Sequence, residues 1–188
     1  MAEEKKTMVK KYMIGIFLNG GTSEKPDWIR IRKSTALELS LNPETQDYDY
    51  IDNENPTTEV IKYKPSLNQA LTMYKGEPDY EFAFPRFYGL AVGDKAKCEV
   101  LIVFMQESRE KTIGEDPDAS SVTGYLAWKN EAALTFSTLN GVDSTLGMDI
   151  NFGGHMEKGF AYPDAETKKP VFVKESSDEA GWVDPFSA

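Results

Sequence analysis

Alternation of apolar and polar residues with a period of two dominates the chain, the rhythm of strands that turn one face to a core. Across 145–152, Leu146, Met148, Ile150 and Phe152 fall on one side and Thr145, Asp149 and Asn151 on the other. The stretch before it places Leu126, Trp128, Ala132, Leu134 and Phe136 inward, and Lys129, Glu131, Thr135 and Ser137 outward. Asn140-Gly141 between them is a hairpin dipeptide, so the two strands are predicted to pair, although the 138–144 spacing suggests a longer loop.

Shorter strands are predicted elsewhere. Tyr12, Ile14, Ile16 and Leu18 alternate up to Asn19-Gly20-Gly21. Ile29 and Ile31 alternate with Trp28, Arg30 and Arg32, and Leu37, Leu39 and Leu41 with Ala36, Glu38 and Ser40. Val60-Ile61-Lys62-Tyr63 is extended as far as Pro65. Residues 99–105 are apolar on both faces, which marks a central strand covered on both sides. Gly159–Tyr162 and Pro170–Val173 supply two final strands.

One helix fits the pattern. Pro78 suits a first turn, and Tyr80, Phe84, Phe87, Tyr88 and Ala91 recur at three- and four-residue spacing before Gly93. Pro85 predicts a kink, or two short turns. The expected fold is mainly β: a sandwich or barrel-forming sheets with one flanking α-helix and a long loop at about 42–59. The 188 residues are read as one domain. It would carry an N-terminal arm (about 1–10) and an acidic C-terminal tail (about 175–188), and 106–120 is read as a second polar loop.

Composition narrows the chemistry. With 31 acidic against 21 basic residues the net charge is −10, unsuited to gripping duplex phosphates. Cys98 has no second cysteine to pair with, and Cys98 with His155 cannot complete a zinc site. No secretory leader or membrane-length apolar run is visible, which predicts a soluble chain made in a reducing cytoplasm.

Candidate chemical groups find plainer readings. His155 follows Gly153-Gly154 in a predicted turn, with no nucleophile and orienting acid placed around it. Cys98, before the central strand, reads as a small buried residue. Gly20-Gly21 lacks the Lys-Ser/Thr of a phosphate loop. No catalytic residue, cofactor or metal ligand is assigned; the acids of 42–59 lack the glycine of a calcium loop. Trp128 is expected to pack in the core.

Charge is uneven along the chain. Residues 1–33 carry eight bases and four acids, whereas 34–59 carry seven acids and no base. Within 42–59, Asp47, Tyr48, Asp49, Tyr50, Asp52 and Glu54 interleave aromatic rings with carboxylates, a composition of interfaces as well as of solvated loops. Opposite patches on one chain can mate between copies, head to tail.

This order of parts carries a resemblance. Lys33-Ser34-Thr35-Ala36-Leu37-Glu38-Leu39, then the acidic stretch 42–51 and a descending arm 52–63, then one helix and a return through paired strands, resembles the major tail tube proteins of long, non-contractile-tailed bacteriophages. The likeness spans about residues 8–175 and is one of organisation.

It implies a β-sandwich with one helix, six copies to a ring whose inner strands close a barrel, and rings stacked by long loops and terminal arms. The channel would be acidic, for DNA in transit, with tape measure and tail terminator proteins as further partners and no membrane. The chain would be a virion protein made in the bacterial host cytoplasm, and no residue would do covalent chemistry. Asp47, Tyr48, Asp49, Tyr50, Asp52 and Glu54 then become ring-to-ring candidates, facing Lys10, Lys11, Arg30 and Arg32. Thr135, Ser137, Thr145, Asp149 and Asn151 become candidates for the channel wall or the outer wall. The alternatives are a monomeric carbohydrate- or surface-binding β-sandwich module and, more remotely, a hydrolase.

Overall fold

The computed structural model describes residues 8–52, 54–113 and 120–175. Along them run β1 (Ile14–Asn19), β2 (Trp28–Arg30), β3 (Ser34–Ser40), β4 (Pro43–Tyr48), β5 (Thr57–Tyr63), β6 (Ser66–Thr72), α1 (Pro78–Tyr88), β7 (Lys97–Ile113), β8 (Ser120–Asn140), β9 (Thr145–Phe152), β10 (Glu157–Pro163) and β11 (Pro170–Lys174). Among the described residues the fold is mainly β with one α-helix, as the alternation predicts. The chain divides into two compact units: Met1–Ile31, Glu99–Asn130 and His155–Ala188 make one, and Arg32–Cys98 with Glu131–Gly154 the other.

In the first unit, β1 pairs antiparallel with β2 and β7, and β10 with β11 and the first half of β8. β1 is buried from Gly15 to Asn19 and β7 from Val100 to Val103, without alternation. Runs of β-branched and aromatic residues tolerate cover on both faces. Phe17, Trp28, Leu101, Val103, Ala127 and Ala161 form one cluster, with Met105, Tyr125 and Phe172 against it. Gly159 permits β11 to close on β10, since a Cβ there would stand 2.3 Å from the Val173 carbonyl oxygen.

Asn19, buried at the end of β1, organises the turn that follows. Its Oδ1 accepts the N–H groups of Gly21 (2.8 Å) and Asp27 (2.9 Å). Its Nδ2 donates to the Thr22 carbonyl (3.1 Å) and to Glu99 (2.8 Å). Glu99 pairs with Lys129 at 3.0 Å, so the turn joins a half-buried ion pair.

The second unit is a four-stranded antiparallel sheet in the order β8–β9–β6–β3. Leu67, Gln69 and Leu71 of β6, and Leu146, Met148 and Ile150 of β9, are buried on one face. α1 belongs to that face: Phe87 meets Phe136 edge-on at 6.1 Å. The helix is anchored by buried Asp79, whose Oδ2 accepts the Arg32 N–H at 3.0 Å. The left-handed residue that closes it comes one position after its C-cap glycine, Gly89. Leu90 takes φ +47, its N–H donating to Phe87 and the Ala91 N–H to Arg86, which closes the last turn. Pro85 sits inside this helix of 11 residues, so of the two alternatives, a kinked helix or two short turns, the structure has one helix, ending at Tyr88, short of Ala91.

Other expectations change. Segment 42–59 is no loop but most of a two-stranded ribbon, β4 pairing with β5 from Pro43↔Tyr63 to Tyr48↔Thr57. Segment 106–120 is strand up to Ile113 and again from Ser120; 114–119 lie outside the described residues. β6 escapes prediction because Gln69 interrupts its apolar row. On β8 the buried residues are Gly124, Ala127 and Asn130 in the first unit and Ala132 and Leu134 in the second, so the first half buries residues of both faces whereas the second alternates. Leu126 and Trp128 are only half-buried, and Trp128 packs edge-on against Phe104 at 5.0 Å. Leu37 and Leu41, though on the apolar side of β3, are exposed. Cys98 is half-buried rather than buried.

Candidate assembly surfaces

The side of the second unit's sheet opposite α1 is polar. Strand residues directly opposite one another share a face. Glu38, Asn68, Asp149 and Thr135 therefore form one row across β3, β6, β9 and β8. Ser40, Ser66, Asn151 and Ala133 form the next. On the other side of the first row lie Ala36, Ala70, Gly147 and Thr138.

Three hydrogen bonds knit this surface. Asn68 donates to Asp149 at 2.5 Å, Asn151 to the Thr135 hydroxyl at 3.1 Å, and that hydroxyl to the Asp149 carbonyl at 3.4 Å. Gly147 is needed here because a Cβ would meet the Thr138 hydroxyl at 2.5 Å and that of Ser137 at 2.9 Å. The rows hold two carboxylates, Glu38 and Asp149, and no lysine or arginine. Short amide and hydroxyl side chains already bonded to one another present little that would grip a passing polyanion, and the carboxylates repel it.

Of the wall candidates, Thr135, Asp149 and Asn151 stand together on this face. Thr145 lies at its end, opposite Thr72, and Ser137 is the bulge residue between Phe136 and Thr138. Sequence reasoning missed Glu38, Asn68 and Thr138. The Ser66-Asn68-Ala70-Thr72 alternation was the available signal, masked by Gln69 on the buried side.

The second surface is the ribbon. Within β4 and β5 only Tyr48 is even half-buried. Glu44 clamps the base through Lys64 (2.7 Å) and Lys62 (3.5 Å), and the hydrogen bond from Lys64, ahead of the field of Lys62, holds its carboxyl below the usual range. Near the far end the Asp47 carboxylate accepts the Thr58 hydroxyl at 2.7 Å, and Tyr48 stacks on Tyr50 with centroids 5.8 Å apart. Val60, Ile61 and Tyr63 are each about half-exposed and Ile51 wholly so. Val60, opposite Thr45, and Tyr63, opposite Pro43, share one face, and Ile61 is the unpaired residue of a bulge between Val60 and Lys62, so the ribbon carries uncovered apolar surface. Asp49, Asp52 and Glu54 are exposed beside it.

The basic candidates fall in both units. In the first unit Lys10 lies 5.8 Å from the Tyr12 ring, and Arg30 donates to the Tyr12 carbonyl at 3.5 Å. Lys11 is exposed in the same short turn. Arg32 belongs to the second unit, where its backbone serves Asp79. His155 is exposed in its turn. Of the terminal arms, 1–7 and 176–188 lie outside the described residues.

No family model and no curated protein matches this chain. Among solved structures it is similar to a chain from the C6-symmetric tail of an empty GTA particle, at 14% identity and TM-score 0.47, covering 79% of this chain and 97% of that one. It is also similar to a chain from the PVC sheath/tube terminator of an extracellular contractile injection system in its extended state, at 9% identity and TM-score 0.47, covering 82% and 99%. A third is a chain from the tube-terminating cap of the anti-feeding prophage, at 11% identity and TM-score 0.44, covering 84% and 95%. At these identities and scores the likenesses carry no functional assignment.

Proposed function

We propose that this chain is a structural protein of a phage tail, a non-enzyme that assembles into stacked hexameric rings forming the tail tube. The observation that carries the reading is the ribbon. Two strands exposed along their length, with Val60, Ile61 and Tyr63 uncovered, are marginally stable alone, and such surface marks a contact with a partner. A second copy of the chain is that partner, in a head-to-tail arrangement that lets the contact repeat along an axis.

In this arrangement Asp47, Tyr48, Asp49, Tyr50, Asp52 and Glu54 meet Lys10, Lys11, Arg30 and Arg32 of the next ring. The row Glu38, Asn68, Asp149 and Thr135, with its neighbours, lines an acidic channel through which DNA passes without being held. Tape measure and tail terminator proteins meet the ends of the tube, and the whole chain behaves as one building block of the virion.

Negative-stain electron microscopy of the purified protein over a range of concentrations, with mass by light scattering, tests the reading. Rings or hollow tubes at multiples of a hexamer are expected, and Asp49→Lys with Asp52→Lys should abolish stacking while leaving the monomer folded. Tubes that form unchanged from the double variant would remove the ribbon from the contact. A monomer at every concentration that binds on a glycan array would replace the tube by a carbohydrate-binding module.

A further inference from the structure

Two Asn-Gly pairs occur in the described residues, and the fold treats them oppositely. Asparagine is a chemically labile residue. Its side-chain carbonyl can be attacked by the backbone nitrogen of the following residue, most readily when that residue is glycine and nothing crowds the approach. At Asn19-Gly20 the nitrogen is occupied, its N–H bonded to the Asp27 carbonyl at 2.8 Å. The asparagine is buried, and a Cβ at Gly20 would meet Ile29 at 2.8 Å. At Asn140-Gly141 the turn is exposed, and a Cβ at Gly141 would meet nothing within 4 Å.

We propose that Asn140-Gly141 is a self-modification site, at which the Asn140 side-chain amide is exchanged for a carboxylate by water through a cyclic imide. The Gly141 nitrogen bonds to Cγ of Asn140, and the Cγ–Nδ2 bond breaks. Ammonia leaves, carrying the proton that the Gly141 nitrogen gives up. One water then opens either C–N bond of the imide, leaving an aspartate or its β-linked isomer and one added negative charge.

The surrounding turn is arranged for the first step. Asn140 Oδ1 accepts the N–H groups of Val142 at 2.9 Å and Asp143 at 3.2 Å, the pair of donors that stabilises an oxyanion as the tetrahedral centre forms. Asn140 Nδ2 donates to Asp143 Oδ2 at 2.6 Å, which places that carboxylate to relay the proton given up by the Gly141 nitrogen to the leaving nitrogen.

Peptide mapping by mass spectrometry, after ageing the folded protein in water enriched in heavy oxygen at neutral and mildly alkaline pH, reads the reaction. The peptide holding Asn140 should take up heavy oxygen and split into two isomers, at a rate at least about tenfold above the peptide holding Asn19. Gly141→Ala should slow the uptake by a similar factor, and Asp143→Ala should slow it less, with circular dichroism confirming that each variant is folded. An unlabelled Asn140 peptide, or equal rates at the two asparagines in the folded protein, would overturn the proposal. An unchanged rate in Asp143→Ala would remove that carboxyl from the mechanism.

Discussion

The two units solve the burial of a β-sheet in different ways. In the first, Gly15–Asn19 and Val100–Val103 are covered on both faces, so these strands are specified almost entirely by apolar contact. In the second, β6 and β9 alternate strictly, with Leu67, Leu71, Leu146, Met148 and Ile150 beneath α1 and a bonded polar lattice on the far side. The second unit also carries the ribbon, which buries nothing of its own. Burial is concentrated where both faces are closed, and solvent-facing surface is left where one face or both are open.

Truncation should break the symmetry between them most sharply. Leu101→Ala, at a fully buried position in the first unit, should cost about 3–5 kcal/mol by urea unfolding, whereas Thr135→Ala on the polar face should stay within about 0.5 kcal/mol. Equal losses would mean that the polar lattice holds the fold together as firmly as the apolar core does.

Next in size is the turn that closes the first unit. Asn19→Ala removes a hub that satisfies two backbone N–H groups in a nearly buried place, and should cost about 2–3 kcal/mol, measured in the same way. The converse effect is expected in the second unit. Leu90 holds a left-handed conformation with an exposed side chain, so Leu90→Gly should stabilise the monomer by about 1 kcal/mol.

The smallest effect belongs to the ribbon. Because the Glu44 carboxyl is held below its usual range, its pairing with Lys64 and Lys62 is present above the ordinary carboxylate pKa and is lost as pH falls through the lowered value. The protection of amides in β4 and β5, taken relative to the intrinsic exchange rate at each pH, should therefore fall on acidification ahead of that in β6 and β9, and Glu44→Gln should abolish that difference. An unchanged profile in the variant would assign the loosening to another group.

Much of this molecule is legible in its residues. The pairing of β8 with β9, the double-sided cover of residues 100–103, the two final strands and the single helix follow from periodicity, because a side chain's face in a strand is set by counting in twos. The interleaved acids and tyrosines of 42–59 marked an unusual surface before its ribbon was known. Local pattern could not supply β6, whose buried Gln69 breaks the apolar row. Nor could it show that the first half of β8 is buried at Gly124, Ala127 and Asn130 without alternation, or that Leu37 and Leu41 stay uncovered.

These last features are decided by which strand lies beside which, and a residue's own character does not encode its neighbour's. The sequence determined the faces. Tertiary structure decided which faces were closed, and in the second unit it left open a polar row from Glu38 to Thr135 that no single strand contains.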